Sequence, residues 1–306
     1  MTRAPENFAR LTLALHGEAG QLWLAGLPAL VETCAARWSL KVGPPFDNLS
    51  YNYAAPAEGP GGERLVLKVG VPVPELLSEM KSLRLFDGRG AARLVDADAE
   101  WGALLLERLE PGTQLDALCE EDDEAATHAA ACVMKQLWRP VPAVHNFPTA
   151  ADWGEGLRRL REHFGGGTGP FPRRLVEEAE SLFAELLASA DEHAVTHGDL
   201  HHGNILAAAR EPWLAIDPKG LVAEPAYEVG ALLRNPMPQL LHRPDPVRVT
   251  ERRIAQLSDE LGLERARVRG WGLAQAVLSA WWTIEDEGAL GEDGFAVAEM
   301  LAATKP

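Results

Sequence analysis

The chain has 306 residues, 46% of them apolar, enough to bury a full core and long enough to suggest two lobes. A formal charge of −16 argues against a nucleic acid partner, which is held through a surplus of Lys and Arg, and suits a cationic small-molecule substrate. No run approaches the roughly 20 apolar residues that cross a bilayer, the start MTRAPENFARL lacks the pattern of a secretory leader, and Cys34, Cys119 and Cys132 form no CxxC pair, so a membrane protein, a disulfide scaffold and a cysteine zinc site are all disfavoured and a cytoplasmic protein is expected.

In chain order, apolar residues from Gly17 to Trp38 recur at helical spacing and predict an opening helix. Leu49 to Ala55 and Leu65 to Val69 read as strands, with AAPAEGPGGE between them as a hairpin turn. A helix follows from Pro74 to Phe86, then a strand pair in RLVDADAEWGALLLERL, where the apolar run stops at Glu107 and breaks at Pro111-Gly112. After Thr113 the pattern turns helical over Glu121 to Trp138, Trp153 to Phe164, Pro172 to Ala190, Val247 to Leu261 and a final pair from Ala266. Two short strands, AVTHG and WLAIDP, interrupt it. Sheet before helix predicts an α+β protein with a sheet-rich lobe over 1–111 and a larger helical lobe over 112–306.

The chemistry concentrates between Val195 and Asp217, where the chain reads strand, polar loop, short strand, turn, strand and then an acid. Asp199 lies five residues before Asn204, and Asp217 ends the last strand. A loop and a hairpin of this kind can carry all three toward one point. Phosphoryl transfer needs such a set, because one carboxylate orients the attacking hydroxyl while oxygen ligands hold Mg2+ against nucleotide phosphates.

His197, Asp199 and Asn204 in HGDLHHGN, with Asp217 in IDPKG, resemble the catalytic loop and metal-binding acid of the aminoglycoside phosphotransferases and the wider protein-kinase-like superfamily. The longer string IDPKGLVAEPAYEVGALLRNP is similar to the streptomycin and hydroxyurea phosphotransferase branch. The resemblance implies a two-lobe kinase fold with ATP and Mg2+ in the cleft, Asp199 as catalytic base, Asn204 and Asp217 as metal ligands, and His197 bracing the loop. It also implies a phosphate-contacting lysine, Lys68 in LVLK, paired with Glu79 on the next helix, Glu75 being the alternative. LLLERL resembles the adenine-binding hinge, reached at Glu107 and Leu109. FDNLSYNYA would cover the phosphates but contains no glycine, so its contacts stay unassigned, with Ser50 and Asn52 as candidates.

The acceptor side is read from aromatic and acidic residues late in the chain. Trp282, Glu285 and Asp286 in WWTIEDEG, together with Glu224 and Glu228 just after the metal-binding strand, are candidates for a cationic acceptor, because carboxylates pair with guanidinium groups and tryptophans stack on them. One of Glu224 and Glu228 could instead anchor the loop through backbone bonds. Asp152 and Trp153 are open to both readings. The expected reaction is transfer of the γ-phosphate of ATP to a hydroxyl of a streptomycin-type aminoglycoside, with hydroxyurea or a hydroxylated metabolite as alternative acceptors. Two readings of other classes compete: an inactive nucleotide-binding module, against which stands the presence of Lys68, Asp199, Asn204 and Asp217, and a metal hydrolase using His193, His197 and His201, against which stands the non-helical pattern around Gly198. Oligomeric state is not legible.

Overall fold

The computed structural model describes residues 5–47, 49–290 and 293–305. Asn48 of the expected phosphate-covering loop and the first four residues lie outside them. The chain forms two compact units, Met1–Gly112 and Thr113–Pro306.

The first unit opens with helix α1 (Glu6–Trp38), followed by β1 (Lys41–Val42), β2 (Tyr53–Glu58), β3 (Arg64–Val69), α2 (Pro74–Phe86), β4 (Leu94–Asp98) and β5 (Ala103–Glu107). The strands make one sheet in the order β1-β2-β3-β5-β4, with every pair antiparallel. Period-two alternation along β3 sends Leu65, Leu67 and Val69 into a core shared with Phe8, Leu27, Val31 and Cys34 of α1. Lys68 falls on the opposite face, where Glu79 of α2 meets it. Pro74 at the start of α2 occupies a position where a missing N–H costs nothing, so this helix begins and ends where its sequence pattern predicts.

Two expectations for this unit need correction. The opening helix starts eleven residues before Gly17, and Gly17 is a break inside it, with φ 53° and ψ −129°. The stretch AAPAE is strand rather than turn: Pro56 pairs with Val66, and its carbonyl accepts from Gly43 on the other side. Proline is tolerated there because β1 is only two residues long, so the ladder asks for no donor at that position.

The second unit comprises β6 (Pro111–Gln114), α3 (Leu115–Glu121), α4 (Asp123–Leu137), β7 (Arg139–Pro140), α5 (Ala150–His163), α6 (Arg173–Ala188), β8 (Ala194–Thr196), β9 (Ile205–Ala208), β10 (Trp213–Ala215), β11 (Leu221–Ala223), α7 (Pro225–Leu233), α8 (Pro246–Leu261), α9 (Arg265–Glu287) and α10 (Ala296–Ala303). Helix α9 forms its centre and packs against α5, α6, α7, α8 and α10, burying Trp271, Trp281 and the apolar residues between them.

The helix expected from Glu121 to Trp138 is α4, which starts two residues later because Asp122 adopts an extended conformation and its side chain caps Ala125; the short helix α3 precedes it. More strand is present than the two expected segments. β8 pairs with β11 and β7, and β9 pairs with β10 in a separate three-stranded sheet with β6. Helix α7, which the periodicity does not reveal, is buried along nearly all its length, so it lacks the polar face that marks a helix in sequence.

Candidate active site

The segment from β8 to β11 builds the site. β9 and β10 pair with Ile205 opposite Ala215, and the Ile216 N–H donates to the Asn204 carbonyl at 2.9 Å. Asn204 therefore stands at the open end of the hairpin, beside the residue that precedes Asp217. Asp217 turns the chain away in a left-handed conformation, φ 60°, which costs a non-glycine residue about 1 kcal/mol or more and is kept where surrounding structure over-determines it. The two oxygen-bearing side chains suited to a hard divalent cation thus sit at one end of one hairpin.

Asp199 lies on the loop between β8 and the hairpin. Asn204 Nδ2 donates to the Asp199 carbonyl at 3.0 Å, which ties the loop to the hairpin and leaves Asn204 Oδ1 as the oxygen for a cation. The loop itself is held from inside. His197 is fully buried; its Nδ1 accepts from the Asp199 N–H at 3.2 Å, and its Nε2 faces the Ile216 carbonyl at 2.7 Å, so Nε2 carries the proton. Burial drives the imidazole pKa down to about 4, leaving it neutral. Both ring nitrogens are thus engaged, one with the loop and one with the end of the hairpin strand. Gly198 has φ 87°, and a Cβ there would meet Leu221 Cβ at 3.1 Å and the Trp153 ring at 3.2 Å. Only glycine fits that turn without displacing its neighbours.

Burial works to raise the pKa of the Asp199 carboxyl, but the nearby charges of Arg234, His201 and Lys219 outweigh it and hold the group below its ordinary value. Arg234 Nη2 donates to Asp199 Oδ1 at 2.8 Å. This arginine lies within the family-like string, yet no spacing rule connects it with an aspartate 35 residues earlier.

In the first unit Lys68 Nζ reaches Glu79 Oε1 and Oε2 at 2.7 and 2.8 Å, with both side chains buried. Lys68 is on the central strand of the five, and α2 presents Glu79 to it. Glu107 ends β5, where its carboxylate accepts from the Arg93 N–H at 3.1 Å; Leu109, two residues on, is buried. Of the loop candidates, Ser50 is exposed and Asn52 is half-buried against Gly70.

The acidic acceptor candidates are not free to form one pocket. Both carboxylate oxygens of Glu228, which is 1% exposed, accept backbone N–H groups of the loop after β8, from His197 at 2.6 Å and Gly198 at 3.1 Å. Glu224 is bound by Arg267 and by the indole N–H of Trp271. Glu285 is held by a two-point pair with Arg159 at 2.7 and 3.0 Å, and Asp286 is exposed beside it at the end of α9. Asp152 caps its own helix with Thr149. Aromatic side chains do gather near the loop: Trp153, whose ring abuts Gly198, meets Trp282 edge-on at 5.3 Å and Tyr227 at 6.3 Å.

The histidine hydrolase finds no support in this arrangement. His197 and His202 are buried, His193 is exposed, and no group of three or more His, Cys, Asp or Glu placed to hold a metal occurs among the described residues.

Residues 55–288 match a family model described as aminoglycoside/hydroxyurea antibiotic resistance kinase. Streptomycin 6-kinase of Streptomyces glaucescens is 36% identical, over 94% of this chain and 92% of its own length. Hydroxyurea phosphotransferase of Kitasatospora aureofaciens is 35% identical, over 97% of this chain and 85% of its own. Among solved structures, a choline kinase from Streptococcus pneumoniae superposes with a TM-score of 0.63 at 14% identity, covering 90% of this chain and 98% of that one. A thermostable mutant of an aminoglycoside phosphotransferase, solved with ADP and hygromycin B, also reaches 0.63, at 15% identity, 89% of this chain and 96% of its own. The fold is the kinase-like α+β fold that these proteins share.

Proposed function

The chain belongs to the aminoglycoside/hydroxyurea antibiotic resistance kinase family and is a small-molecule kinase, and from that premise we propose that it transfers the γ-phosphate of ATP to a hydroxyl of a streptomycin-type aminoglycoside. The observation that carries the reading is the hairpin end, where Asn204 and Asp217 stand beside a braced loop bearing the ionised Asp199. Asp199 orients the acceptor hydroxyl and takes its proton as the oxygen attacks phosphorus. Asn204 Oδ1 and the Asp217 carboxylate would hold Mg2+, hard oxygen donors being what that ion requires. When bound, the ion neutralises charge on the phosphate oxygens. Lys68, kept in place by Glu79, contacts the phosphates, and the β5 end at Glu107 to Leu109 lies against adenine through backbone groups. In this scheme residues 1–111 bind nucleotide, 112–306 carry catalysis and the acceptor, and the enzyme works in the cytoplasm. Positioning and charge stabilisation supply most of the acceleration.

Three features favour streptomycin. Two streptomycin 6-kinases are 35–36% identical over nearly the whole chain, and a charge of −16 suits an acceptor that carries guanidinium groups. Trp153 and Trp282 offer ring faces for such groups. Hydroxyurea is the second reading, on the strength of the phosphotransferase that is 35% identical over 97% of the chain.

The test is to incubate the purified full chain with ATP and Mg2+ and either streptomycin or hydroxyurea, following ADP release and the mass of the acceptor. Streptomycin gaining one phosphate is the expected result. Phosphate on hydroxyurea alone selects the second reading. ADP release with no modified acceptor in either incubation would overturn both.

A further inference from the structure

A carboxylate that orients a hydroxyl must offer one oxygen in a fixed direction. Asp199 rests on a loop, and free rotation of its carboxyl group would spread that direction over many angles. The structure supplies a restraint from elsewhere in the unit. Arg234, the residue that closes α7, donates from Nη2 to Asp199 Oδ1 at 2.8 Å and from Nη1 to Ser279 Oγ of α9 at 3.3 Å. The arginine is itself pinned. The next residue, Asn235, donates from its side chain to the Ala231 carbonyl, and its own carbonyl accepts from Arg253 Nη1 at 2.6 Å. Arg253 is fully buried and paired with Asp123. On the other side of Asp199, Oδ2 is 3.9 Å from His201 Nε2, beyond hydrogen-bond range.

We propose that Arg234 is a positioning residue for phosphoryl transfer: it occupies Oδ1, locks the Asp199 carboxylate, and reserves Oδ2 for the acceptor hydroxyl, with Ser279 as its anchor. The inference rests on the kinase reading of Asp199. The planar guanidinium suits the task because it spans two acceptors in fixed directions, which a lysine ammonium does not. A misplacement of about 1 Å in such a group costs roughly 100-fold in rate.

The experiment compares kcat, and KM for ATP and for acceptor, in the wild type, R234M, R234K, S279A, D199N and D199N/R234M, with melting curves for each. R234M should lower kcat about 100-fold while KM for ATP stays within about twofold. R234K should recover part of the loss and S279A should lose severalfold. In the D199N background R234M should cost nothing more, since the group it orients is gone. If R234M does not fold, R234K and S279A carry the same comparison. The proposal is overturned if kcat in R234M, or in both R234K and S279A, stays within about twofold of wild type, or if R234M lowers kcat equally with and without Asp199. A D199N enzyme that keeps full turnover would instead overturn the kinase reading itself.

Discussion

Glu228 and His197 are 31 residues apart in sequence, and the Glu228 carboxylate accepts the His197 backbone N–H at 2.6 Å while its second oxygen accepts that of Gly198 at 3.1 Å. A buried acid at the start of α7 thus holds the turn on which the catalytic loop begins. Glu228→Gln replaces one accepting oxygen with an NH2 group that faces a donor. A loss of roughly 1–3 kcal/mol in chemical denaturation is expected, together with a kcat lowered at least tenfold. Unchanged kcat at reduced stability would show that the loop keeps its shape without this brace.

Asp199→Asn preserves shape and removes the charge proposed to take the acceptor proton. Turnover should fall by about a factor of 1,000, within the range that general-base catalysis supplies, while nucleotide affinity measured by calorimetry changes by less than about twofold. Asn204→Ala should leave an enzyme that needs more Mg2+ for half-maximal rate, and chelation should abolish turnover in the wild type. Full rate in the presence of a chelator contradicts the assignment of Asn204 and Asp217.

The buried Lys68–Glu79 pair separates stability from activity. Desolvating two charges offsets most of their attraction, whereas removing one partner strands the other. Glu79→Gln should therefore destabilise by on the order of 3 kcal/mol, and the double variant Lys68→Met, Glu79→Leu should regain most of that loss. The double variant should nonetheless be inactive. A double variant no more stable than the single one would mean that the pair itself contributes net stability.

Acid should weaken the fold through the catalytic loop. His197, His201 and His202 all have imidazole pKa values lowered chiefly by burial, to about 4 for His197. Unfolded, each would protonate near 6.5. The unfolded chain then binds more protons below that value, so their contribution is present above about pH 6.5 and is lost as pH falls. Glu228 acts in the opposite sense: burial raises it to about 7, so its contribution falls as pH rises from 4.5. Asp116, which interacts electrostatically with His201, is also raised by burial and acts with Glu228; with three histidines against these two carboxyls, the melting temperature is expected to drop between pH 7 and 5. A rise over that interval would contradict the assignment.

Much of this was legible from local pattern. HGDLHHGN and IDPKG pointed to a phosphotransferase, and the change from strand alternation to helical spacing pointed to the α+β class, because both signals are written in short runs of neighbouring residues. The limits of α2 were readable for the same reason, with Pro74 opening it and its apolar face repeating to Phe86. Features without a short-range signature were not readable. Helix α7 is buried on all sides and so carries no period, and Pro56 reads as a turn until β1 is seen to end beside it. The acidic residues show the difference most clearly. As letters, Glu224, Glu228 and Glu285 are equivalent carboxylates for a cationic acceptor. Folding assigns them to Arg267 and Trp271, to two backbone N–H groups, and to Arg159. Arg234 gains Asp199 by the same route. The motifs name the carboxylate proposed to meet the hydroxyl; which distant side chain contacts it depends on where burial carries each charge and which partner is near enough to offset its desolvation.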